Sequence, residues 1–163
     1  MEPTLKVGDR VLVEKLSYLF GEPGRGDVVV FERILPGFTG SDEGEKDESV
    51  FGDIANAFRE LFGFPTGTEQ DYIKRVIGVG GDTVEGREGE VMVNGEFIDE
   101  PYLPDDLQTT PFLPIEVPEG MIFVMGDNRS NSDDSRGFGP VPADSVIGRA
   151  FALIWPLSDF GGL

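Results

Sequence analysis

Turn-forming residues constrain this chain most: glycine holds 23 and proline 12 of its 163 positions. Proline removes a backbone donor and breaks helices, and glycine weakens them through its entropy in the unfolded chain. A helical bundle is therefore excluded, and short strands joined by tight turns are expected. The length suits one domain with a core of its own, and 39% apolar against 27% charged residues is a globular balance. Basic residues number 13 and acidic ones 31, a net charge of −18, which repels phosphate backbones and argues against nucleic-acid binding. Histidine and cysteine are both absent. That removes Ser-His-Asp and Cys-His catalysis, imidazole or thiolate zinc sites, and disulfides. Nucleophilic chemistry here needs another base, and no cofactor or metal is expected. No stretch reaches the ~18 apolar residues of a membrane-spanning helix, and Met1 leads into Glu2-Pro3-Thr4 without a basic or apolar leader, so this stretch of chain is expected to be soluble.

Strand patterns open the chain. In VGDRVLVEKL, Val11 and Val13 alternate with Arg10, Leu12 and Glu14, and GDVVVF at 26–31 is a short apolar run, so two strands joined by a turn are predicted. The stretch TGSDEGEKDES then carries five acids, one lysine and no apolar residue, a solvated loop. Behind Asp53 as N-cap, Ile54, Phe58, Leu61 and Phe62 fall at helical spacing, predicting a helix over 53–62 packed on a β body. Loop and helix together read as an insertion at about 36–66. In EVMVNGEFI at 90–98, Asn94-Gly95 is a two-residue hairpin turn that pairs Met92 with Phe97. The proline-rich stretch at about 101–118 cannot be a central strand and reads as a covering loop. Strands resume at 121–126 and 146–156. The expectation is a single domain over 1–163, mainly β, an antiparallel β-barrel or sandwich with one short helical insertion.

Three segments are candidates for chemistry: MEPTLKVGDRVLV at the start, DYIKRVIGVGGD at 71–82, and GDNRSNSDDSRGFGPVP at 126–142. The second sets Lys74 in an apolar strand on the face of Tyr72 and Val76. A lysine desolvated there has a lowered pKa and can serve as a general base; spacing alone favours an exposed or acid-paired lysine. The third segment packs Asp127, Asn128, Ser130, Asn131, Ser132, Asp133, Asp134 and Ser135 around Arg129 and Arg136. It reads either as a rigid hydrogen-bonded network or as a solvated turn. A calcium loop is disfavoured, with Arg129 at a ligand position and Ser132 where glycine is needed. Gly78-Val79-Gly80-Gly81 is no dinucleotide fingerprint, since Thr83 takes the last glycine position.

Taken in order, MEPTL with VGDRVLVEK, then DYIKRVIGVGGD, then GDNRSNSDDSRGFGPV resemble the boxes of bacterial type I signal peptidases. The resemblance covers about residues 1–31, 71–100 and 118–149, and is most specific over 126–136. It implies a membrane-anchored Ser-Lys endopeptidase with a mostly β catalytic domain on the extracytoplasmic side, acting on the signal peptides of exported preproteins. Carried over by position, Lys74 is the general base, Ser132 orients its amine, and Asp134 with Arg136 is the supporting ion pair. Gly126, Asp127 and Asn128 are structural members of the site, while Met1, Leu5, Val11, Tyr72 and Ile73 resemble the apolar lining of the substrate groove.

The departures also carry expectations. In the family the nucleophilic serine immediately precedes the methionine matched by Met1, and a second hydroxyl, used in the oxyanion hole, lies two residues further upstream. The serine and an anchoring helix are thus expected just upstream of Met1, and residues 1–163 alone are expected to be inactive. Gly80 stands where the family usually has proline, and Gly137-Phe138 where aromatic pairs are common. Two other readings are a self-cleaving repressor type, for which no DNA-binding region or long cleavable arm is visible, and a non-catalytic module that binds extended peptides by strand addition.

Overall fold

The computed structural model describes residues 1–6, 8–14, 21–32, 71–155 and 161–162. The expected helix over 53–62 and the insertion at about 36–66 lie outside them. The described chain is mainly antiparallel β. Its strands are β1 (Arg10–Glu14), β2 (Val28–Glu32), β3 (Asp71–Val79), β4 (Thr83–Arg87), β5 (Glu90–Val93), β6 (Glu96–Phe97), β7 (Phe112–Glu116), β8 (Met121–Met125), β9 (Val141–Pro142), β10 (Val146–Trp155) and β11 (Gly161–Gly162), with a single-turn helix α1 (Ser135–Phe138) before β9. The larger sheet runs β1-β10-β2-β3-β8-β9, with β11 also on β10, and the smaller runs β6-β5-β4-β7. Among the described residues both orders are open rather than closed into a barrel, which favours the sandwich among the expected forms. The two strands expected in the first thirty residues form, but β10 separates β1 from β2.

The continuous apolar run of β8 reflects a strand covered on both faces. Phe123 and Met125 join Ile77 and, from the smaller sheet, Val84, Val91 and Val93 in one cluster. Ile122 and Val124 join Val29, Phe31, Val76 and Val141 in a second cluster on the opposite face. Gly78 permits the close approach of the two sheets, because a Cβ there would lie 2.6 Å from Val84 and 3.4 Å from Val117. The Asn94-Gly95 turn forms as expected: both residues have positive φ, 56° and 82°, and Met92 pairs with Phe97. The proline-rich stretch is not loop throughout, since Phe112–Glu116 is the edge strand β7. Pro114 is tolerated there because an edge strand leaves alternate N–H groups without a ladder partner.

Candidate active site

β3 lies between β2 and β8, and its alternation puts Tyr72, Lys74 and Val76 on one face. Lys74 sits opposite Val29 in register, and both Val29 and Val76 are fully buried. The lysine stem is therefore enclosed by apolar side chains. Its Nζ donates to Ser132 Oγ at 3.0 Å and stands 5.9 Å from the centre of the Tyr72 ring. Burial pushes the Lys74 amine below its ordinary value; the Asp134, Asp133 and Asp127 carboxylates pull it back up, while Arg136 acts with burial.

Ser132 belongs to the loop that follows β8. Gly126 opens that loop, and a Cβ on it would come within 2.8 Å of the Ser132 Cβ and 3.4 Å of Lys74 Nζ, so only glycine lets the serine lie against the backbone beside the lysine. Asp134 is buried and caps α1, accepting from the Arg136 amide at 3.2 Å. The Arg136 guanidinium forks onto its two oxygens, each at 2.8 Å, and the Gly126 amide adds a bond at 3.1 Å. Burial acts to raise the Asp134 carboxyl, but the bonds from Arg136, Gly126 and the Ser132 hydroxyl outweigh it and hold the group below its usual range. The Ser132 hydroxyl thus accepts from Lys74 and donates to Asp134, whose charge is neutralised by Arg136. Separated in this way from a direct carboxylate partner, the lysine is not locked in its protonated form.

A second layer fixes this loop from behind. Asp127 is fully buried and accepts from Arg75 Nε at 3.1 Å, Arg75 Nη2 at 2.9 Å and Thr4 Oγ1 at 2.5 Å. Arg75 also reaches the Gly26 carbonyl at 3.0 Å and lies 3.7 Å over the Tyr102 ring. Arg129, with no exposed side chain, binds Glu100 at 2.8 and 2.5 Å, the Thr109 hydroxyl at 2.9 Å and the Gly126 carbonyl at 3.2 Å. Arg136 Nη1 donates to the Arg129 carbonyl at 2.7 Å, joining the layers. Tyr102 donates to Glu100 at 2.6 Å, and burial with that carboxylate pushes its phenol well up.

The remaining expected residues divide. The Met1 amino group lies near Lys74; burial and the Lys74 charge lower it, while Asp127 and Glu2 raise it. Leu5 is buried, with its amide bonded to the Met1 carbonyl at 2.9 Å. Tyr72 shares the Lys74 face, stacked on Phe31 at 5.9 Å and edge-on to Phe138 at 6.4 Å. Ile73 takes the opposite face of β3. Val11, half-buried on β1, is three strands from β3, roughly 14 Å at ~4.8 Å per strand. Asn128 turns toward its own loop, its side chain accepting from Ser130 at 3.2 Å and its carbonyl from the Asn131 amide at 3.0 Å. Thr4, Arg75, Glu100, Tyr102, Thr109 and Arg129 were not singled out as site residues by the sequence. Thr4, Arg75 and Arg129 do lie inside the three candidate segments, and the charges of Arg75 in an apolar strand and of Arg129 within the polar loop are further signals. Among the described residues no group of three or more His, Cys, Asp or Glu is placed to hold a metal.

The family model described as signal peptidase, peptidase S26, matches residues 1–155. A signal peptidase I of Mycobacterium tuberculosis is 39% identical over 188 residues, covering 99% of this chain and 64% of that protein. One from Leptolyngbya laminosa is 39% identical, covering 100% of this chain and 68% of that protein. The chloroplastic thylakoidal processing peptidase 1 of Arabidopsis thaliana is 34% identical, with 97% and 40% covered. This chain therefore spans about two thirds or less of the length of these relatives. A solved signal peptidase I from Enterococcus faecalis V583 matches with a TM-score of 0.51 and 29% identity, covering 79% of this chain and 97% of that one. With a family match over nearly its whole length, a like fold and a shared sequence, the chain belongs to the signal peptidase, peptidase S26, family.

Proposed function

We propose that residues 1–163 form a single catalytic domain of a signal peptidase I-type serine endopeptidase, which removes signal peptides from exported preproteins. The observation that carries this reading is the lowered Lys74 amine held by Ser132, with Asp134 engaged by Arg136. In this mechanism the neutral Lys74 amine takes the proton of a serine immediately preceding Met1, whose oxygen attacks the scissile carbonyl. The tetrahedral adduct collapses to an acyl-serine while Lys74 returns the proton to the departing amine. Lys74 then deprotonates a water that cleaves the ester and restores the serine. What supports this is that the Met1 amine, to which that serine would be joined, is lowered by burial and by the Lys74 charge. Gly126, Asp127 and Asn128 hold the loop, and Met1, Leu5 and Tyr72 contribute to the apolar surface that receives the signal peptide, whereas Ile73 lies on the opposite face of β3 and Val11 three strands away.

An N-terminal anchor would keep this domain on the extracytoplasmic side of the cell membrane, in keeping with the additional length of the relatives. The test compares three proteins on a synthetic signal-peptide substrate. Residues 1–163 alone are expected not to cleave, a form extended through the upstream serine is expected to cleave, and Lys74→Ala in that form is expected to abolish activity without unfolding. Robust cleavage by 1–163 alone, or turnover indifferent to Lys74→Ala, would overturn the reading.

A further inference from the structure

The first five residues meet the body of the domain through a contact that the mechanism above does not use. Thr4 Oγ1 donates to Asp127 Oδ2 at 2.5 Å, on the carboxylate oxygen that also accepts from Arg75 Nη2. That acceptor is immobile: Asp127 is fully buried, gripped on both oxygens by Arg75, which is itself fixed by the Gly26 carbonyl and the Tyr102 ring. Asp127 also follows directly on Gly126, the residue against which Ser132 packs. The carboxylate that holds Thr4 and the wall that holds the Lys74–Ser132 pair are therefore consecutive residues. On the other side of Thr4, Leu5 is buried and its amide closes a turn onto the Met1 carbonyl at 2.9 Å. Residues 1–5 thus form one small unit with a polar pin and an apolar foot, and its leading amine feels the charge of Lys74.

We propose that Thr4 is a positioning residue, whose hydroxyl seats the 1–5 turn on the buried Asp127–Arg75 pair and thereby sets the distance between Lys74 Nζ and the group attached to the Met1 nitrogen. The role needs a donor on a short side chain, and the β-branch of threonine restricts χ1, so little freedom is lost when the bond forms. Proton transfer between a hydroxyl and an amine requires hydrogen-bond reach, so a displaced turn costs rate rather than substrate binding.

The inference rests on the proposed Ser-Lys mechanism for its kinetic consequence, but its structural half is testable without activity. In residues 1–163, Thr4→Val should speed hydrogen exchange of the Leu5 amide on the order of 10- to 100-fold, the range expected for losing a hydrogen bond to a charged group. It should also move the titration of the Met1 amine up toward its ordinary value, while Thr4→Ser keeps both as in the parent. In the serine-extended enzyme, Thr4→Val should lower kcat by a similar factor with KM and the Lys74 pH midpoint unchanged, and Thr4→Ser should restore it. Thr4→Ala, smaller and equally without a donor, repeats the test. A folded Thr4→Val chain with unchanged Leu5 exchange and unchanged amine titration would overturn the proposal. An extended enzyme indifferent to Lys74→Ala would overturn the mechanism and leave the exchange and titration results to decide the clamp.

Discussion

A lysine amine is a base only while neutral, and at Lys74 the surrounding side chains set that balance. Burial and Arg136 favour the neutral form; Asp134, Asp133 and Asp127 favour the charged one. Asp134 is neutralised by the Arg136 fork, and Asp133 is exposed, its carboxylate accepting from the Tyr72 hydroxyl at 3.5 Å. Asp133→Ser should lower the Lys74 titration further and shift the rising limb of the pH–rate profile to lower pH; ¹⁵N NMR of the lysine amine reads the first and kcat/KM the second. The same lysine has a sign in stability. Its folded value lies below its unfolded value, so between the two the unfolded chain binds more protons and stability rises with pH. Lys74→Met should therefore stabilise the fold near neutrality, and the gain should shrink as pH climbs into the ordinary lysine range, as urea titrations at several pH values would show. Spacing put Lys74 in an apolar strand but could not decide whether its amine met water; the resemblance supplied Ser132, Asp134 and Arg136. Arg75 and Arg129 were illegible in their buried roles because a charge in a strand or polar loop reads as solvent-facing until its partner is known. Those partners, Asp127 for Arg75 and Glu100 for Arg129, are 52 and 29 residues away.

At the scale of elements, the loop after β8 depends on two features of different legibility. Gly126 sits in a segment whose polarity was plain, but its need to be glycine comes from Ser132 folding back onto it. Gly126→Ala should displace that serine and reduce cleavage at least ~10-fold, whereas Gly95→Ala, at the tip of the β5–β6 hairpin with open space around it, should cost about 1–2 kcal/mol of stability through its positive φ and leave cleavage intact. Denaturant unfolding beside an activity assay separates the two. The hairpin was legible because Asn-Gly encodes its turn locally. The proline-rich stretch was not, because its composition revealed neither the edge strand β7 nor the strap that Glu100, Tyr102 and Thr109 form beneath the site. Glu100→Ala leaves Arg129 buried without its carboxylate and should cost about 3–5 kcal/mol, read as a lowered denaturation midpoint.

Over the whole molecule, charge and topology act together. Arg25, Arg75, Arg129, Arg136 and Arg149 are committed to Asp82, Asp127, Glu100, Asp134 and Asp27, several of them buried. Five of the 13 basic residues are thus held in these ion pairs in a chain of net charge −18. Self-repulsion of the remaining acids should make stability depend on salt. Raising ionic strength from about 10 mM to about 1 M shortens the screening length from ~30 to ~3 Å, and Tm by calorimetry should rise about 2–4 °C for each kcal/mol of repulsion relieved. Strand identity was legible from local alternation, but strand order was not, since the pairing of β10 with both β1 and β2 joins opposite ends of the sequence. That order also bears on biosynthesis. Residues are made from the N-terminus onward, so β2 presents an unpaired edge on one side until 146–150 have emerged, and β1 has no place in the larger sheet before then. The residues of the lysine site are all synthesised earlier, yet the sheet that supports them is joined only once β10 has emerged. A nascent chain halted before residue 146 should remain open to proteolysis, while one carried past residue 155 should resist it; the lysine site is thus made before the sheet that holds it in place.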